Sequence, residues 1–240
     1  MYSRAGMFDD ADHAIALSIF ATDNAIRIVA ELNDFCEQAA GQSVAACSWL
    51  FLSVGATFVV QLSDQRTVVV KAHGEHQGFE TLQSCAAVQR RLHEGGFPCP
   101  AVLTSPVLRG KTIWSMQSHV EHNMPENTRS EAIRTVCANG LADFLHLMRK
   151  IGASARFDSW LPAPGILWNR PHNVLFDFTA VTDDTEIIDA IARDAKELIE
   201  KSAYQQIIGH ADWSCQNMSF KDGVLVCVYD WDSLRFGTEE

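Results

Sequence analysis

The sequence predicts an α+β chain folded as two lobes, and three observations lead there. Apolar residues recur at helical steps over residues 11–40 and then give way to β-branched runs over residues 47–72. Long helical spacing dominates again only after residue 128. Between the halves lies a polar segment, His119 to Asn127, that carries Pro125. The expected division is therefore residues 1–118, with leading helices and an antiparallel sheet, and residues 119–240, mostly helical. Sites tend to lie in the cleft between two such bodies.

Each element follows from its own pattern. Ile15, Ile19, Phe20, Ile26, Val29, Leu32 and Phe35 mark helix, with Asp23 and Asn24 splitting it in two and Gly41 as the stop. Phe58–Leu62 and Thr67–Lys71 flank the polar break Ser63-Asp64-Gln65-Arg66 and predict a strand, a turn and a strand. Leu82, Cys85, Val88 and Leu92 predict a helix over 79–94, ended by Gly95-Gly96, with Pro98 and Pro100 keeping the chain extended. Val102-Leu103 and Thr112–Met116 predict a second strand pair around Arg109-Gly110-Lys111. Ile133, Val136, Leu141, Phe144, Leu145 and Met148 predict an amphipathic helix over 129–150. A loop with Pro162, Pro164, Gly165 and Pro171 follows, then a helix from Ile187 to Ile199 and a final apolar run, Val224–Tyr229.

Bulk properties narrow the function. The chain has 240 residues, of which 47% are hydrophobic, enough for a sizeable core. A formal net charge of -11 argues against nucleic acid as a partner, because phosphate binding needs clustered Lys and Arg. It is compatible with a cationic substrate. No apolar run reaches the roughly 18 residues of a membrane span. Asp9 and Asp10 stand where a secretory signal would turn apolar, so a cytoplasmic protein is expected. Seven scattered cysteines without a Cys-x-x-Cys pair fit buried thiols in a reducing compartment better than a zinc site.

The chemistry concentrates near the end. Gly209-His210-Ala211-Asp212-Trp213-Ser214-Cys215-Gln216-Asn217 is followed by Val228-Tyr229-Asp230-Trp231-Asp232. The turn Lys221-Asp222-Gly223 should fold the intervening chain into a hairpin that returns Asn217 to the side of Asp230. An amide oxygen and a carboxylate then share one spot, and hard oxygen donors of this kind suit Mg2+. Asp212 would stand beside that spot, able to take a proton from an attacking hydroxyl.

This arrangement resembles the catalytic loop of the protein-kinase-like fold, where His-x-Asp is followed by an Asn five residues after the Asp and by a metal-binding Asp after a hairpin. The Trp after Asp212 and the ending Val228-Tyr229-Asp230-Trp231-Asp232-Ser233-Leu234 are similar to the aminoglycoside phosphotransferase family of small-molecule kinases, with Ala211 in place of the usual Gly. The resemblance covers roughly residues 50 to 235. It implies Asp212 as catalytic base, Asn217 and Asp230 as magnesium ligands with Asp232 as a second carboxylate, and His210 as a brace for the loop. Lys71 would touch the nucleotide phosphates, beneath a covering loop at Gly55. A helix acid, Glu80 or Glu75, would pair with Lys71. Residues 114–120, including Gln117 and His119, fall where the family's connector meets adenine. Leu167–Phe178 is similar to a segment of some bacterial members.

The implied activity is transfer of the γ-phosphoryl of ATP or GTP to a small-molecule hydroxyl. Family members usually continue well beyond the Asp-Trp-Asp segment, whereas eight residues follow Asp232 here. The resemblance thus implies a truncated C-terminal lobe, which would favour self-association. Two other functions fit the same residues. One is a non-catalytic kinase-like module that binds nucleotide or a partner. The other is a metal-dependent hydrolase with His210, Asp212, Asp230 and Asp232 as ligands.

Overall fold

The computed structural model describes residues 10–125, 127–151, 157–159, 163, 165–168, 185–201 and 206–238. Most of the Leu167–Phe178 segment, with Pro162, Pro164 and Pro171, lies outside these described residues. Two helices lead, α1 (Asp10–Phe20) and α2 (Ala25–Ala40). The break between them is fixed by Asn24, whose side chain accepts from the Arg27 amide at 3.1 Å and caps α2. Gly41 ends α2 in the left-handed region at φ 67°.

Five strands follow in two blocks, β1 (Val44–Leu52), β2 (Ala56–Leu62) and β3 (Thr67–Gly74), then β4 (Val102–Arg109) and β5 (Thr112–Ser118). They form one antiparallel sheet in the order β1-β2-β3-β5-β4. Helix α3 (Phe79–Glu94) connects the two blocks. Alternation decides which face is buried. Ala56, Phe58, Val60 and Leu62 of β2, with Val68, Val70 and Ala72 of β3, pack against Ile15, Ile19, Leu32 and Phe35 of the leading helices. The intervening residues Thr57, Val59, Val69 and Lys71 are displayed on the opposite face.

The second half holds α4 (Glu131–Ile151) and α5 (Thr185–Lys201), with four short strands, β6 (Gln206–His210), β7 (Met218–Lys221), β8 (Val224–Val228) and β9 (Leu234–Thr238). Strands β6 and β9 pair, and so do β7 and β8. A second core joins Ile133, Phe144 and Met148 of α4 to Met218, Phe220, Val228, Trp231 and Leu234. Cys85, Val88 and Leu92 of α3 belong to this second core. Helix α3 therefore ties the sheet-bearing half to the helical half, although it precedes residue 119 in sequence.

Phe144 is fully buried and stacks on Trp213 at 5.8 Å, with Phe97 and Trp231 also around its ring. Removing it leaves a cavity under the loop that carries Asp212. Phe144→Ala is expected to lower unfolding free energy by about 3–5 kcal/mol, measured by urea denaturation. A loss below about 1 kcal/mol would show that the second core is not packed as described.

Candidate functional site

Lys71 is set by strand register. It lies opposite Thr57 of β2 on one side and Ser115 of β5 on the other. Because Val70 and Ala72 point into the first core, Lys71 must point away from it. Its ammonium crosses to the second half, where it donates to Asp230 Oδ1 at 2.8 Å and to Asp232 Oδ1. Asp232 in turn meets His73 Nε2 at 2.6 Å through its other oxygen. His73 stands two residues after Lys71, on the same face of β3. Burial works against the Lys71 ammonium, but the charges of Asp230 and Asp232 outweigh it and raise its pKa above the ordinary lysine value. Burial also works to raise the Asp232 carboxyl, yet Lys71 and then His73 hold it well below the usual carboxylate range.

Asp230 sits in the left-handed region, at φ 64° and ψ 43°. Aspartate tolerates that conformation because its short side chain bonds locally. Ser233 supplies the bonds: its amide donates to the Asp230 carbonyl at 3.0 Å and its hydroxyl to Asp230 Oδ2 at 2.6 Å. One carboxylate oxygen is thereby fixed, and the other faces Lys71.

The hairpin of β7 and β8 closes as the sequence suggests. Met218 pairs with Val228, and the Tyr229 amide donates to the Asn217 carbonyl at 2.8 Å. Asn217 is thus brought beside the segment that carries Asp230. Its Nδ2 donates to Asp212 Oδ2 at 2.8 Å and to the Asp212 carbonyl at 3.1 Å. With the amide nitrogen so engaged, Asn217 Oδ1 is left as its acceptor end. Asp212 itself is exposed. His210 fixes the loop from below: its Nε2 donates to the Tyr229 carbonyl at 2.8 Å, and its Nδ1 accepts from the Asp212 amide at 3.3 Å. Burial depresses the His210 pKa, so the ring stays neutral, as this pair of roles requires.

Other residues singled out in the sequence fall as follows. Glu80 is exposed on the first turn of α3, and Glu75 lies 3.9 Å from Lys111, so Lys71 takes its carboxylates from Asp230 and Asp232 rather than from Glu75. Gln117 accepts from Gln89 at 3.1 Å, and His119 is exposed just past β5. Gly55 lies in the β1–β2 turn against the His73 ring. A Cβ there would come within 2.7 Å of His73 Cδ2 and 2.9 Å of the Ala72 carbonyl. Gly55→Ala must therefore shift the His73 ring, the Ala72 backbone or the turn itself. It is expected to cost about 1–3 kcal/mol of stability, checked by thermal unfolding. An unchanged midpoint would mean the turn does not press on His73.

Two residues escaped the sequence reading. His73 had a usable signal, since strand alternation puts it on the Lys71 face. Ser233 had none beyond being three residues from Asp230.

Among the described residues no three His, Cys, Asp or Glu side chains form a metal-holding cluster. Both ring nitrogens of His210 are taken by the backbone, which removes it from the ligand set of a hydrolase. The remaining donors are an amide and two carboxylates, all hard oxygens. A protonated amine already stands on Asp230 and Asp232, which shows that these oxygens accept a cation between the two halves. Mg2+ characteristically takes one or two carboxylates and fills its other positions with water and substrate phosphate oxygens, and the set fits it.

The family model described as the phosphotransferase enzyme family (APH) matches residues 49–238. No curated protein matches the chain in sequence. Solved structures do match in shape. Amicoumacin kinase hAmiN, in complex with AMP-PNP, Ca2+ and Ami, superposes with a TM-score of 0.61 at 10% identity. That match covers 82% of this chain and 60% of the kinase. A thermostable mutant of aminoglycoside phosphotransferase APH(4)-Ia, in a ternary complex with ADP and hygromycin B, gives 0.54 at 16% identity over 86% of this chain and 72% of the other. Aminoglycoside phosphotransferase APH(3'')-Id from Streptomyces rimosus gives 0.51 at 14% identity, over 87% and 78%. At these identities the likeness is one of fold, and the chain spans about 60% of the length of the first of these relatives.

Proposed function

Because the chain belongs to the phosphotransferase enzyme family, we propose that it moves the γ-phosphoryl group of ATP or GTP to a hydroxyl of a small molecule. Two observations support this reading: Lys71 of β3 bonds Asp230 across the two halves, and the β7–β8 hairpin returns Asn217, bonded to Asp212, beside the segment that carries Asp230. A cation for phosphates, oxygen donors for a divalent ion and an exposed carboxylate for a proton are the groups phosphoryl transfer needs.

Each group has a distinct task. Asn217, Asp230 and Asp232 would hold a magnesium ion, which when bound neutralises charge on the nucleotide phosphates. Lys71 donates to the phosphates and orients them in line with the acceptor. Asp212 accepts the proton of the attacking hydroxyl, and Asn217 Nδ2 keeps its carboxylate aimed. Neutral His210 holds the loop backbone and takes no proton. Gln89, Ser115 and Gln117 line a small pocket beside Lys71. A cytoplasmic setting belongs to the same reading.

The test is transfer from γ-labelled ATP and GTP, with Mg2+, to a panel of polyhydroxylated and amino-bearing small molecules, run beside calorimetry of the nucleotide alone. Label appearing on an acceptor supports the reading. Nucleotide binding without transfer to any acceptor would favour a non-catalytic nucleotide-binding module instead. Neither binding nor transfer would overturn both.

A further inference from the structure

We propose that Cys137 and Cys215 form a reversible dithiol–disulfide pair that clamps the Asp212 loop to α4. Cys137 lies on α4, and Cys215 lies between Asp212 and Asn217. Their sulfurs are 3.6 Å apart, and both side chains are partly exposed. Cys36, Cys85, Cys99 and Cys227 are buried, and Cys47 is on the distant β1 edge, where its thiol donates to the Trp49 carbonyl.

The two segments are already docked. Trp213 Nε1 donates to the Cys137 carbonyl at 3.1 Å, and the Trp213 indole lies over Gly140, where an added Cβ would be 3.4 Å from it. A disulfide needs sulfurs at about 2.0 Å, so the pair must approach by about 1.6 Å, from 3.6 Å to about 2.0 Å.

The co-reactant is a low-molecular-weight disulfide such as oxidised glutathione. Its S–S bond breaks, two glutathione thiols form and carry away the two protons and two electrons, and one S–S bond joins Cys137 to Cys215. A first cysteine–glutathione mixed disulfide is resolved by the second cysteine.

The full chain is equilibrated in glutathione buffers of increasing oxidised fraction and digested without reduction. The expected product is a peptide linking Cys137 to Cys215, reversed by dithiothreitol and lost in Cys137→Ser and Cys137→Ala. Amide hydrogen exchange over residues 212–217 should slow by about tenfold or more in the linked form. Glutathione adducts that persist on either thiol, or a link involving Cys47, would overturn the pairing. A link that leaves exchange of residues 212–217 unchanged would overturn the clamp. Both readouts are independent of phosphoryl transfer, so a chain inactive as a kinase would not mask either result.

Discussion

Asp212→Asn is expected to lower phosphoryl transfer by about 10²–10⁴-fold, the usual contribution of a general base. Nucleotide affinity should change by less than about threefold, since the proposed role of Asp212 is toward the acceptor and its side chain bonds Asn217 rather than Lys71. The substitution keeps the volume and the bond to Asn217 in altered form, so the loop should stay folded on His210 and Trp213. The measurement is turnover with Mg-ATP at saturating acceptor, beside calorimetry of Mg-ATP alone. Near-full activity would remove Asp212 from the chemistry, and a large loss of nucleotide affinity would place it among the phosphate-side groups instead.

Lys71→Met should have a second large effect, on stability as well as function. Its side chain is 13% exposed and the carboxylates it joins are 35% exposed for Asp230 and 21% for Asp232. Removing one partner of a buried ion pair usually costs about 3–5 kcal/mol. Because Asp230 remains partly solvated, we expect a value near the lower end, about 3 kcal/mol, and a melting temperature lower by roughly 10 °C. Two like charges left together carry the penalty, so Lys71→Met with Asp232→Asn should recover part of it. The sign with pH follows from Asp232. Its folded pKa is depressed, so its contribution is present above the unfolded value near 4 and is lost as pH falls below it. The gap between wild type and Lys71→Met should therefore narrow below about pH 4. A variant as stable as wild type at neutral pH would mean that the cluster is held by the backbone rather than by charge.

Much of this was legible in the sequence because it is local. Asn24 and Gly41 bound α2 through capping, and alternation across Phe58–Leu62 and Thr67–Lys71 fixes two paired strands. The Asp212-to-Asn217 spacing and the Lys221–Gly223 turn are likewise short-range, so the hairpin that brings Asn217 near Tyr229 could be anticipated. What could not be read is which distant groups meet. Lys71 and Asp232 are 161 positions apart, and nothing along the chain says that β3 faces the Trp231–Ser233 turn. Analogy therefore favoured an acid on the nearby helix, Glu80, while the carboxylates on Lys71 come from the end of the chain. The packing partner of α3 escaped for the same reason: its stripe of Cys85, Val88 and Leu92 is plainly amphipathic, but most of the core it joins lies beyond residue 132. His73 was missed because a histidine on a strand has many ordinary roles, and only the fold places Asp232 against it.

The most direct measurement is a crystal structure of the chain grown with Mg2+ and a non-hydrolysable ATP analogue. The result we expect is a metal held by Asn217 and Asp230, a phosphate oxygen on Lys71 Nζ in place of one of its present carboxylates, and Asp212 open toward solvent. A nucleotide bound away from Lys71, or a metal that leaves Asn217 and Asp230 untouched, would contradict the assignment of this site.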